Sequence, residues 1–197
     1  MKAPHSRDVP PNLKERLIEI AGRLLETTGI EGVTLRAVAQ DAGVSHMAPY
    51  RHFAGKDALL AAVAERGFEA LMRAMDARRA RPGGIGDAAI ATGVAYVVFA
   101  LDNPALYRLM FGHNLAPRDR FPGLVRAGQA AFRRCIEVSE KRRGRRRGGE
   151  CQDAGRNAAA GLWALVHGLS SLAIDGLIHL PSPGPGRDRA IANLLAT

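Results

Sequence analysis

Apolar residues in this chain recur at intervals of three and four, and no run of four to eight residues alternates apolar with polar as a half-buried strand would. That spacing predicts an all-α fold. Leu17, Ile20, Ala21, Leu24 and Leu25 stripe a first helix, which Gly29 is expected to end. Thr34 can cap a short second helix with Leu35, Val38 and Ala39 inward. Ala42-Gly43-Val44 then makes a tight turn, and Ser45 can cap a third helix carrying Met47, Tyr50 and Phe53. Pro49 falls in its first turn, where the missing N–H costs least. After "AGKD" a fourth helix presents Leu60, Val63, Ala64, Phe68, Leu71 and Met75 on one side.

"RARPGGIGD" (Arg79 to Asp87) punctuates the pattern and marks a boundary. Asp87 can cap a fifth helix. Asn103-Pro104 reads as a capping side chain followed by proline at the first helical position, and that sixth helix ends near Gly112. Leu124, Gly128, Ala131, Phe132, Cys135 and Ser139 stripe a seventh. Asp153 to Leu180 reads as a long eighth helix, and Asp188 to Leu195 as a short ninth after the "PSPGPG" linker. The expected division is an N-terminal domain over 1–56, a connecting helix over 57–81 and a C-terminal domain over 82–197.

Between Ala158 and Leu180 the only formal charge is Asp175. The stretch is long enough to span a bilayer, but His167, Ser170, Ser171, Asp175 and His179 interrupt it and no flanking topology signal exists. No membrane partner is expected. A helix apolar on all sides must be buried on all sides. One side can face the core and the other a second copy of the chain, with Gly161, Gly168 and Gly176 letting another backbone approach. A homodimer through the eighth and ninth helices is the expectation. The N-terminal "MKAPHSRDVPPNLKERL" lacks the apolar segment of a signal peptide, and Cys135 and Cys151 form neither a disulfide scaffold nor a zinc spacing. The expected setting is cytoplasmic, with reduced thiols.

Two short helices joined by Ala-Gly-Val, behind a longer supporting helix, have the outline of a helix-turn-helix. The third helix would enter a major groove with Ser45, His46, Met47, Ala48 and Arg51 toward base edges. Tyr50 and His52 have polar tips that reach phosphates, and Lys56 opens the fourth helix, whose free N–H groups and dipole also favour an anion. Tyr50 and Phe53 equally fit as core aromatics of a small bundle. The formal charge of +9 suits a polyanionic partner. Yet residues 1–60 hold 8 Lys/Arg against 7 Asp/Glu, so the excess lies elsewhere.

Residues Leu17 to Leu60, "LIEIAGRLLETTGIEGVTLRAVAQDAGVSHMAPYRHFAGKDALL", resemble the reading head of the TetR family of bacterial transcription regulators. "G…GVT", "VA..AGVS" and "YRHF..K..LL" stand in that family's order and spacing. "LWALVHGLSSLAIDGLI" (Leu162 to Ile178) resembles the Trp-His-Gly signature of one class of TetR C-terminal domains. The resemblance implies a homodimer on a palindromic double-stranded DNA operator, released by a small molecule in the C-terminal domain, and acting as a repressor. It implies DNA contacts at Thr34, Arg36, Ser45, His46, Met47, Ala48, Tyr50, His52 and Lys56. Met47 and Ala48 are poor hydrogen bonders, so they would read thymine methyls.

Trp163 and His167 share a helix face, one turn apart. They either line a ligand cavity with Tyr96, Phe99, Tyr107, Met110 and Phe132, or form a core Trp stacked on a hydrogen-bonded His. No Lys or Arg falls on the expected lining of the eighth helix, so a mostly apolar or aromatic effector is expected. Catalysis is not: His167, Ser170, Ser171 and Asp175 face different sides of one helix, without a strand–turn–helix nucleophile. The histidines and cysteines show no metal-ligand spacing, and no cofactor is expected. "KRRGRRR" (Lys141 to Arg147) reads as a solvated helix end. The alternative function is a ligand-independent DNA-organising protein that uses this run for nonspecific binding.

Overall fold

Asn12 starts the first helix: its Oδ1 accepts from the Lys14 N–H at 3.2 Å, satisfying one of the donors a helix start leaves unpaired. The structure, a computed structural model, describes residues 12–80, 87–115, 117–144 and 152–196. Helix α1 (Leu13–Gly32) breaks at Gly29, which has φ 73°, and resumes for a final turn, so Gly29 kinks the helix rather than ending it. Thr34 Oγ1 accepts from the Ala37 N–H at 3.0 Å and caps α2 (Leu35–Asp41) as expected. Gly43 sits at φ 64°, a left-handed conformation that admits glycine at little cost and reverses the chain there.

The expected third helix is not a regular α-helix. It is a turn followed by one 3₁₀ turn, Pro49–Arg51. Proline explains the difference. An α-helix would send the N–H of residue 49 to the Ser45 carbonyl, and Pro49 has none. That carbonyl instead takes the Ala48 N–H (2.9 Å), Arg51 reaches Ala48 (3.2 Å) and His52 reaches Pro49 (2.9 Å), all three residues back. The Ser45 side chain, expected to cap, is exposed and makes no hydrogen bond to a described residue.

After four non-helical residues, helix α3 (Lys56–Arg79) buries Leu59, Leu60, Val63, Ala64, Phe68, Leu71 and Met75. Asp87 Oδ1 accepts from the N–H groups of Ala89 (2.8 Å) and Ile90 (3.4 Å), opening α4 (Ala88–Asp102). Helix α4 is the one buried on every side, because α3, α6, α7 and α8 all pack on it. Helix α5 (Pro104–Phe111) starts at the expected proline, but the Asn103 side chain turns back to donate to the Phe99 carbonyl at 2.9 Å. Its capping role falls to Glu26 of α1, whose carboxylate accepts from the N–H groups of Ala105 (3.2 Å) and Leu106 (2.8 Å).

Helix α6 (Pro122–Gly144) follows a 3₁₀ turn at Arg118–Arg120. Helix α7 (Gln152–Ile174) stops six residues before the expected Leu180. Gly176, read as an interface glycine within the helix, instead closes it: at φ 73° it lets its own N–H reach the Ala173 carbonyl (3.2 Å) and the Leu177 N–H reach Leu172 (2.8 Å). Within the single chain α7 leaves Leu165 and Leu172 exposed. Helix α8 (Pro185–Ala196) is tied down by Arg187–Asp102 (2.9 Å) and Arg78–Asp188 (2.8 Å). The nine expected helices are thus eight α-helices among the described residues, with no strand. One apolar cluster runs through them from Leu17 to Leu195. Among the described residues no single helix is long and apolar enough to cross a membrane. Arg145 to Arg147 of the basic run, the 81–86 linker and Cys151 lie outside them.

Candidate functional site

Two groups of residues stand at opposite ends of α3. The first surrounds its N-terminus. Thr34, Arg36, Ser45, His46, Met47, Tyr50, Arg51 and His52 are all exposed, and Ala48 is half-buried. Buried Pro49 and Phe53 anchor the segment from beneath. Phe53 is therefore the core aromatic and Tyr50 is not: Tyr50 is 54 % exposed and Met47 67 %. That apolar surface stands in water on a short turn, where contact with a partner would bury it favourably. Thr34 spends a lone pair on its cap but keeps its hydroxyl proton to donate. Lys56 Nζ lies 3.7 Å from the Glu31 carboxylate, itself almost fully exposed. Such a pair contributes little, about 0–1 kcal/mol, and leaves the ammonium available to another anion. No side chain caps the start of α3.

The second group is a cavity of about 480 Å³. Phe68, Leu71 and Met75 of α3 form one wall. Tyr96, Phe111, Phe132 and Trp163 bring aromatic rings from four further helices. Gly128 opens space opposite Phe68, and a methyl there would come within 3.5 Å of the Phe68 ring. Phe132 and Trp163 meet edge to face at 5.6 Å. Phe111 touches most of the other rings: Phe68 at 5.2 Å, Tyr107 at 4.9 Å, His167 at 4.9 Å and Trp163 at 6.4 Å. Cys135 completes the apolar side, and burial pushes its thiol up to about 11, so the sulfur stays protonated at neutral pH.

Of the seven residues expected to line a ligand site, Tyr96, Phe132 and Trp163 line this cavity. Phe99 does not. It lies against Ala74, Arg78 and Asn103 in a separate shallow groove, because that part of α4 packs on the C-terminal half of α3. Met110 is fully buried between α5 and α3, where only glycine at position 67 leaves room for its sulfur. Tyr107 and His167 stand behind the wall. The Tyr107 hydroxyl is 2.7 Å from His167 Nδ1, and the Tyr96 hydroxyl lies 3.2 Å from the same nitrogen. Burial pushes both phenols above their ordinary value and His167 below its own. The imidazole is therefore neutral at pH 7, and in the tautomer with its proton on Nε2 its Nδ1 accepts from Tyr107. This network braces Trp163 and Phe111, which the His167 ring contacts at 5.5 and 4.9 Å.

The sequence reading missed Phe68, Leu71, Met75, Phe111, Arg118 and Arg133 as lining residues. Phe111 was findable, standing four residues after Tyr107 on the same face of α5. Arg118 comes from the loop between α5 and α6, and no helical spacing points to it.

Two domain families match this chain. Residues 17–63 match the bacterial regulatory proteins of the tetR family, and residues 89–197 match the tetracyclin repressor-like C-terminal domain. The second match alone covers more than half of the chain. The chain belongs to the TetR family. A curated relative, an HTH-type transcriptional regulator of Mycobacterium tuberculosis (strain ATCC 25618 / H37Rv), is 30 % identical over 134 residues, which is 64 % of this chain and 56 % of that protein. The chain thus matches little more than half the length of the curated relatives it resembles. A protein of unknown function from Rhodococcus sp. RHA1 superposes with TM-score 0.77 at 28 % identity, covering 97 % of this chain and 94 % of its own. A TetR/AcrR-family transcriptional regulator from Thermobifida fusca shares the fold, with TM-score 0.64 at 18 % identity over 93 % of this chain and 94 % of that one.

Proposed function

We propose that this TetR-family chain is a homodimeric repressor that binds a palindromic operator and is released by a small, mostly apolar or aromatic effector. The observation that carries the reading is the continuity of α3. Lys56 begins it beside the exposed turn, and Phe68, Leu71 and Met75 of the same helix wall the cavity. A ligand that favours one tilt of α3 over another must change operator affinity by the same free energy, ~1–3 kcal/mol or roughly 5–150-fold for typical couplings. The Glu26 carboxylate adds a second link, from α1 of the head to α5, whose Phe111 reaches the cavity. On this reading residues 1–56 are the head, 57–81 the connector and 82–197 a ligand and dimerisation domain of the Trp-His-Gly type, working in the cytoplasm.

The outer face of α7 supports the dimer. Gly161, Leu165, Gly168 and Leu172 fall on one stripe, with Leu165 47 % and Leu172 41 % exposed, and a side chain added at either glycine would meet open space. Leu194 of α8 is 44 % exposed.

The test is operator selection followed by binding in a salt series. The full chain should prefer one palindrome over random DNA by ~10³-fold or more. Lys56→Ala should weaken binding to all sequences alike and lower the salt slope by about one for each phosphate no longer neutralised. His46→Ala should relax preference at one operator position. Leu172→Arg should convert the dimer to monomer in sedimentation and abolish tight binding. Absence of any preferred sequence would turn the reading toward a DNA-organising protein.

A further inference from the structure

We propose that the cavity selects a lipophilic carboxylic acid: an apolar body with a single carboxylate, received by Arg118. The proposal rests on the reading of this cavity as the effector site and names the chemistry of the effector.

Among the described residues the charged side chains of the lining are Arg118 and Arg133, and no carboxylate lines it. Arg118 is half-buried and held in place without being neutralised. Its Nη2 donates to the carbonyls of Met110 (2.7 Å) and Gly112 (2.9 Å), at the end of α5. Those oxygens carry the negative end of the helix dipole and fix the guanidinium plane. Nε and Nη1 make no hydrogen bond to a described residue, and no described carboxylate pairs with Arg118. Arg66, Arg78, Arg108, Arg134 and Arg187 all have carboxylate partners. Arg118 is thus a positioned cation whose Nε and Nη1 can each still donate a single hydrogen bond, beside aromatic walls.

That combination fits one class of ligand. A guanidinium N–H gives a carboxylate a charge-assisted hydrogen bond, and low-dielectric walls strengthen the pair. Two cations disfavour an amine. A polyanion would bring more charge than one half-buried and one exposed arginine can compensate against apolar walls. A neutral hydrocarbon would fill the space but leave the Arg118 donors unused. The aromatic rings of Phe111, Phe132 and Trp163 hold the body, so either an alkyl or an aryl acid meets the shared requirement.

The probes are decanoate, 1-naphthoate, decanol and decylamine, titrated calorimetrically into the full chain at neutral pH. Trp163 is the only tryptophan, so its fluorescence independently reports occupation by the alkyl probes. One or both acids should bind at least about tenfold more tightly than decanol and decylamine, as a charge-assisted hydrogen bond implies. The stronger acid then tells alkyl from aryl bodies. Arg118→Gln should bring acid affinity down to that of decanol, with decanol unchanged. Should Arg118→Gln fail to fold, exposed Arg133→Gln and added salt should each narrow the acid preference in a folded protein. Equal affinity for decanoate, naphthoate and decanol would overturn the carboxylate proposal and leave the effector cavity standing. So would a preference that survives the arginine substitutions and salt. If no probe binds, or if Gly128→Leu leaves acid binding intact, both the proposal and the cavity reading fall.

Discussion

The two ends of α3 use side chains in opposite ways. Around Lys56 the chain turns its large and polar groups outward, with Met47 and Tyr50 more than half exposed on a turn anchored by Pro49 and Phe53. Twelve to nineteen residues later the same helix turns Phe68, Leu71 and Met75 inward, each no more than 2 % exposed. Residues on the exposed turn contribute little to folding, so they can be chosen for a partner. Residues of the cavity wall must pack as core and also shape an empty space, so their two roles are bound together. Function and stability should therefore separate at one end of the helix and travel together at the other.

Leu71→Ala against Tyr50→Ala is the sharpest way to break that contrast. Leu71 is 1 % exposed, and its truncation should cost about 2–5 kcal/mol of stability. Tyr50→Ala should stay within about 0.5 kcal/mol of the parent protein while weakening operator binding. Urea denaturation followed by fluorescence gives the two stabilities, and operator titration the binding. Comparable losses of stability in the two variants would mean that the exposed turn is part of the core after all.

Features decided by neighbours along the chain could be read in advance. Thr34 and Asp87 cap the helices they precede, and Gly43 takes the left-handed turn, because each acts within three residues of itself. Local signals misled where two of them competed. Pro49 and Ser45 were both compatible with a helix start, yet the donor that proline lacks turned the segment into a 3₁₀ turn. Gly176 looked like thinning within a long apolar run and is instead its stop. The cavity was half legible. Tyr96, Phe132 and Trp163 were found by aromatic character, but Phe99 and Met110 share a large apolar side chain and serve other contacts. Which face of α4 or α5 meets α6 and α7 depends on packing across the fold. Arg118 and Glu26 act on elements other than their own, beyond the reach of any periodicity.

Glu26 joins the two regions, so its removal tests whether they communicate. Its carboxylate supplies the cap that Asn103 withholds from α5. Glu26→Ala should cost about 0.5–2 kcal/mol, the range for losing a helix cap. Glu26→Gln keeps an acceptor and should lose less, chiefly the charge–dipole part of ~0.3–1 kcal/mol. The informative measurement is operator release by a bound probe. With the joint between α1 and α5 loosened, the concentration of probe that half-releases DNA should rise even where its affinity for the free protein is unchanged. If release is identical in Glu26→Ala, α3 alone carries the coupling.

The smallest expected effect is a pH dependence that arises on the cavity side. Burial holds His167 below its ordinary value of 6.5 in the folded protein. In the unfolded chain it returns to that value and binds a proton more readily. The unfolded state therefore carries more protons in the window just below pH 6.5, and stability rises with pH there. The contribution is fully present above about pH 6.5 and is lost as pH falls through the lowered value. Protonation would also place a donor at Nδ1, so the Tyr107 hydroxyl at 2.7 Å would have to turn and accept, rearranging the network behind Trp163. His167→Gln offers Tyr107 an acceptor that does not titrate. The urea midpoint of the parent protein should fall more steeply than that of the variant between pH 7 and pH 5, and the difference is the share due to His167. Its sign matters more than its size: a variant that loses stability faster than the parent on acidification would show that the folded protein favours the charged imidazole. Tyr107 and Tyr96 would then have to be reassigned as acceptors for it.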